Sequence, residues 1–258
     1  MTEVSCILRL ARNDFSYFFR TKWLMAVLLS LHLSDMLVVA YTYANFMSLD
    51  YFKFFVPAIV IMGLFVAALD TGRRIWLAFR EGVIQYYLSL PISVSGIVLA
   101  YLLAGGAAAL VYSTSLLLIA LVVLPAQAIW SILVLMPFLF ILAMGLAGIS
   151  ASLAAVASTH GEYFFAYQSI VQLLLLTLST VYYPIETVQK YLPASVISLV
   201  SANPLSQAAE AMRDFAFAGN PIQGSVLLSI LLASVPFTAI GAVSYVSALR
   251  QVQKKGKL

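Results

Sequence analysis

No Asp, Glu, Lys or Arg occurs between Glu81 and Glu162. Wound as one α-helix at ~1.5 Å per residue, that stretch would run to roughly 120 Å, against a bilayer hydrocarbon core of about 30 Å. It must therefore cross a membrane more than once. Leu124-Pro125-Ala126-Gln127 is the one strong interruption inside it, which predicts spans over about 92–124 and 129–158.

The rest of the chain follows the same logic. Hydrophobic residues make up 63% of it and charged residues 9%, where an ordinary soluble domain carries about 25%; the mean hydropathy is +1.01. The expected fold is an all-α integral membrane protein with about six transmembrane helices, adding spans over about 23–43, 51–69, 163–183 and 225–249. Pro236 inside the last of these predicts a kink. The apolar run from Trp23 outlasts a signal h-region and lacks a cleavage site, so it reads as a retained first span.

Residues 1–22 read differently. Ile7, Leu8, Leu10, Ala11, Phe15, Phe18 and Phe19 alternate at helical spacing with Arg9, Arg12, Asn13, Asp14 and Arg20. That pattern predicts an amphipathic helix lying in the membrane interface. Residues 250–258 form a basic tail with Lys254, Lys255 and Lys257.

Eleven of the 14 Lys and Arg fall in the N-terminal segment, the segment between spans 2 and 3, and the tail; Lys53, Lys190 and Arg213 fall on the other side. The bias places both termini in the cytoplasm, in a multi-pass protein of the plasma membrane. The net charge of +4 sits on these short flanks, where it meets lipid headgroups. No basic stripe interleaved with aromatics is present, so the partner is the lipid bilayer and not nucleic acid. The single cysteine, Cys6, forms no internal disulfide.

Three segments are not simple spans. In 70–91, Ile75, Phe79, Val83, Tyr87 and Leu90 recur every three or four residues opposite Arg73, Arg80 and Gln85, which predicts a short amphipathic helix packed on the bundle. Its polar face, with Arg73, Arg74, Arg80 and Glu81, reads either as a partner surface or as a solvated loop. Residues 184–224 are moderately apolar but broken by Pro184, Pro193, Pro204 and Pro221, and Asn203-Pro204 reads as an N-cap with proline at the first helical position. Ala208, Ala209, Met212 and Phe215 then share a face, and short helices dipping into the outer leaflet fit the stretch. The third feature is His32 and Asp35, three apart on one face of the first span, where an unpaired carboxylate costs on the order of 2.5–3.5 kcal/mol. They read either as the lining of a translocation path or as a pair satisfied by neighbouring helices.

Small residues in 145–155 and at Gly105 and Gly106 predict close helix contact. A phosphate-binding loop, His-Glu-x-x-His, Cys-x-x-Cys and Gly-x-Ser-x-Gly are all missing from the sequence, and His160 has no second ligand at metal spacing. An intramembrane enzyme is thereby disfavoured.

Three stretches carry a family resemblance: Phe18-Phe19-Arg20-Thr21-Lys22-Trp23; Arg80-Glu81-Gly82-Val83-Ile84-Gln85-Tyr86-Tyr87-Leu88-Ser89-Leu90-Pro91-Ile92-Ser93; and Tyr183-Pro184 with Leu192-Pro193 and Ser201-Ala202-Asn203-Pro204-Leu205 up to Arg213. Over essentially its whole length the chain resembles the transmembrane permease subunit of type-2 ATP-binding-cassette exporters. The resemblance implies that Arg80, Glu81, Gly82, Gln85 and Tyr86 belong to a coupling helix docking on a separate ATPase. It likewise implies that Pro184, Pro193, Asn203 and Pro204 shape re-entrant outer helices, and that two such subunits, identical or related, enclose the path. This chain would bind no cofactor itself, ATP and Mg entering through the partner. Two other readings stay open: a proton-coupled secondary transporter using His32 and Asp35, and a non-transporting membrane assembly factor.

Overall fold

The computed structural model describes residues 2–39, 41–42, 50–157 and 161–254. Every regular element among them is helical: α1 Glu3–Arg20, α2 Lys22–Ser34 continued by a π turn Asp35–Val39, α3 Tyr51–Arg80, α4 Val83–Ser89, α5 Val94–Val123, α6 Ile129–Val156, α7 Gly161–Thr177, α8 Ile185–Gln189, α9 Ala194–Ala202, α10 Pro204–Ala211 continued by a π turn Met212–Phe217, and α11 Gly224–Lys254. Helices α3, α5, α6 and α11 are long and apolar enough to cross a membrane, and α1 with α2, bent by 67° at Thr21, makes a fifth candidate. The chain is a membrane-embedded helical protein. Each of the four long helices has about 30 residues, some 45 Å at ~1.5 Å per residue, and so extends beyond the hydrocarbon core.

Helix α3 is the axis of the bundle. Asp50 caps its start, accepting from the Lys53 amide at 3.3 Å, and the helix is then buried nearly all round from Phe55 to Ala78. A helix apolar on every side belongs at the centre of a bundle, and α5 and α6 flank it. Ser113 donates to the Val60 carbonyl at 2.9 Å, and Ser150 donates to the Leu69 carbonyl at 2.5 Å while accepting from the Gly72 amide at 3.1 Å. Helices α6 and α11 touch backbone to backbone: a Cβ on Gly241 would lie 2.3 Å from the main chain of Gly148. The small residues therefore serve close packing, as such stripes do in lipid. The opposite face of α11, most of α7, and α2 around Trp23, Val27 and Leu31 are exposed and apolar.

Several expected boundaries move. Residues 70–80 do not form a helix of their own but continue α3, because Asp70, Arg74 and Ile75 are buried in register with the turns before them; only α4 is separate. The span expected over 163–183 ends as a helix at Thr177, since side chains from 203 and 213 take the carbonyls that further turns would use. Residues 250–254 are the last turns of α11 and not a tail, because the helical backbone runs unbroken through Arg250. That helix is also continuous through Pro236. The start of the tail's remaining lysines, Lys255 and Lys257, the end of the first span at Tyr43, the end of the fourth at Ser158, and His160 lie outside the described residues.

Candidate functional site

At one end of the bundle α1 crosses beneath the long helices and packs on α5. Cys6, Leu10, Asp14 and Phe18 form its buried stripe at a spacing of four. A carboxylate in an apolar stripe requires a partner, and Arg74 of α3 supplies it. The guanidinium lies 2.9 Å from Asp14 through Nη2 and 2.8 Å from Asp70 through Nη1, with its side chain 1% exposed. Arg73 closes the far side of Asp70 at 2.6 Å. Phe18 lies under the Arg74 guanidinium, 5.3 Å from ring centroid to Cζ. Two arginines and two aspartates thus form a neutral, desolvated cluster that locks α1 to α3.

The cluster corrects the reading of 70–91 as one polar face. Arg74 is buried and Arg73 is paired, so neither is open to a partner. Sequence reasoning had set Asp14 on the polar side of the N-terminal helix and gave Asp70 no role. The available signal was positional: Asp14 stands four residues from both Leu10 and Phe18, and Asp70 four before Arg74.

Beyond the cluster the chain turns. Arg80 lies over the Trp76 ring at 5.5 Å, Glu81 ends α3, and Gly82 has φ +73°, a left-handed conformation that glycine adopts without Cβ strain. The turn swings α4 across the end of the bundle. Ile84 of α4 is buried, while Arg80 and Glu81 before the turn and Gln85 and Tyr86 after it are exposed, Tyr86 at 62%. Four of the five residues expected to face an ATPase therefore share one exposed corner, and the fifth, Gly82, makes the turn that presents them. Ser93 caps α5, accepting from the Gly96 amide at 3.0 Å, and its own amide donates to Glu3 of α1 at 3.1 Å. Hydrogen bonds from the Ser93 side chain and then from its amide hold the exposed Glu3 carboxyl below its ordinary value. A cavity of about 210 Å³ under α4 is lined by Asn13, Asp14, Arg74, Glu81, Tyr87 and Tyr101.

At the far end of the bundle the proline-broken stretch is tightly tied. Asn203 accepts from the Leu205 amide at 2.9 Å, with Pro204 at the first helical position, and its amide donates to the carbonyls of Leu175 and Leu178 at 2.8 and 2.6 Å. One side chain thus opens α10 and closes α7. Ala208, Ala209, Met212 and Phe215 are buried on one face. Pro193 stands at the start of α9, and Pro184 precedes α8. Arg213, which sequence reasoning counted with the few cations on the outer side, is buried. It donates to the carbonyls of Phe54 and Thr180 at 2.8 Å each, pairs with Glu210 at 2.8 Å and stacks 3.6 Å from the Phe54 ring centroid.

His32 and Asp35 lie within α2 and its π turn. His32 is buried, with Nδ1 2.7 Å from the Leu28 carbonyl and 3.0 Å from the Tyr112 hydroxyl. A carbonyl only accepts, so Nδ1 carries the proton and Nε2 is left as an acceptor, buried and without a partner among the described residues. Asp35 is half-buried and has no ion-pair partner among them. The two side chains are not bonded to each other. Among the described residues no group of three or more His, Cys, Asp or Glu side chains is placed to hold a metal. No protein-family model and no curated protein matches the chain.

Proposed function

We propose that this chain is the transmembrane subunit of an ATP-driven exporter, forming half of the translocation path and coupled to a separate ATPase that binds ATP and Mg. The observation that carries the reading is the corner at Arg80, Glu81, Gln85 and Tyr86. It is a polar, exposed helix end on a left-handed glycine turn, continuous with the buried axis of the bundle and braced by the Asp14–Arg74–Asp70 cluster. A push on α4 is delivered to α3 as a rigid body, because α4 is seated on the bundle through its own buried Ile84 and α1 is locked to α3 by charges that do not separate readily in a dry site.

In this reading six spans cross the plasma membrane with both termini in the cytoplasm, α1 lies in the inner interface, α4 is the coupling helix, and α8 to α10 are re-entrant outer helices. A second copy or a related permease completes the path. The surfaces left for that path are apolar and aromatic, which suits a lipid-like, drug-like or other amphiphilic substrate and outward transport.

The test is co-purification with an ATP-binding-cassette ATPase subunit, taken from a neighbouring reading frame if one is encoded there. Reversing charge at Arg80 and Glu81 is expected to weaken co-elution and stimulated ATP hydrolysis together. A second reading, proton-coupled transport, is favoured by the unpartnered Nε2 of His32 beside Asp35. No ATPase partner, with transport abolished by Asp35→Asn, would replace the first reading with the second. Co-elution without any substrate movement would favour an assembly factor.

A further inference from the structure

Between α5, α6 and α11 a groove of about 460 Å³ opens on the outside of the bundle. Its wall is apolar, formed by Leu99, Leu102, Met144 and Ala242, and Arg250 stands at one end. Ser95, also at that end, lies two residues from Ser93, whose amide holds Glu3 of α1. The mouth of the groove is therefore level with the amphipathic helix, where headgroups lie. From Thr238 to Arg250 the groove follows about 18 Å of helix, close to the ~15 Å depth of one leaflet.

Shape and charge identify the occupant. The groove is open along its length, apolar along Leu99, Leu102 and Ala242 and basic at Arg250, and that order matches an acyl chain beneath a phosphate group. Arg250 is exposed and pairs with no carboxylate among the described residues. Arginine at headgroup level matches a phosphate oxygen with two parallel hydrogen bonds. We infer that this groove is a binding site for one anionic phospholipid, its phosphate on Arg250 and one acyl chain along Leu99, Leu102 and Ala242. The inference rests on the membrane-embedded fold and is independent of the exporter reading.

The full chain in detergent, titrated with phosphatidylglycerol or phosphatidylcholine of identical acyl chains and followed by native mass spectrometry, tests it. Wild type is expected to hold the first phosphatidylglycerol about fivefold more tightly than phosphatidylcholine, as one basic side chain at an anionic surface implies. Arg250→Gln removes the preference, and Ala242→Phe, which fills the groove below the headgroup, weakens both lipids. Leu99→Phe makes the same test from a partly exposed wall position and stands if Ala242→Phe does not fold. Equal binding of the two lipids by wild type, an unchanged preference in Arg250→Gln, or unchanged binding in the folded groove-filling variants would overturn the proposal.

Discussion

Arg74 concentrates the electrostatic risk of this protein in one side chain. Its guanidinium holds two carboxylates in a dry site, where a broken ion pair leaves an uncompensated charge. Arg74→Met is expected to destabilise the protein by about 3–5 kcal/mol, since Asp70 keeps Arg73 but Asp14 is left alone. The double variant Asp14→Leu with Arg74→Met removes both charges and should recover most of that loss. Thermal unfolding of Asp14→Leu, Arg74→Met and the double variant in detergent measures the coupling, and losses that simply add would show that Asp14 and Arg74 do not interact energetically. Sequence reasoning saw Asp14 and Arg74 but set both on polar faces, because helical spacing gives no means of telling a buried pair from two solvated charges.

Elements meet here through small contacts at their ends and along one seam. Glu3 ties α1 to the cap of α5, and its carboxyl is held below the ordinary value of 4.5 by the hydrogen bonds from Ser93. The folded value lies under the unfolded one, so the contribution is fully present above about 4.5 and is lost as pH falls through the depressed value. Hydrogen exchange in the first turns of α1 should be slower in wild type than in Glu3→Gln at neutral pH, and the two should converge in acid. Along the seam of α6 and α11, Gly241→Val forces apart backbones that now touch. Overpacking of this kind costs roughly 1–3 kcal/mol, equivalent to about 2–4 °C in melting temperature per kcal/mol for a chain of this size. A melting temperature equal to wild type would show that the helices have room to separate. Gly145 and Gly148 of this seam were legible in the sequence as part of a small-residue stripe; Gly241, and the helix they would meet, were not.

The whole molecule is asymmetric in what it leaves uncovered. Leu173 and Leu174 of α7, with Trp23, Val27 and Leu31 of α2, present apolar faces outside the bundle. For the proposed two-copy assembly we place the seam on the exposed apolar face of α7 at Leu173 and Leu174. Leu174→Glu is therefore expected to halve the protein mass of the detergent-solubilised particle in light scattering, whereas Leu232→Glu on the exposed face of α11 leaves it unchanged. The same mass for both variants would remove α7 from the seam.

The uncharged run from 82 to 161 and its Pro125 break were enough to settle helical, membrane-embedded structure and to locate α5 and α6 within two residues, because lipid admits few ways of satisfying a backbone. The Asn203-Pro204 cap was legible for a similar reason, since capping is local chemistry between a side chain and the next turn. Tertiary structure decided the rest. Where α7 stops depends on Asn203 and Arg213, more than 20 residues downstream, reaching back for its carbonyls and those of the turn after it. Whether residues 70–80 continue α3 depends on Asp14, which is 60 residues away from Arg74. Charges far apart in the chain become partners only when packing has removed the water between them, and no local pattern records that removal.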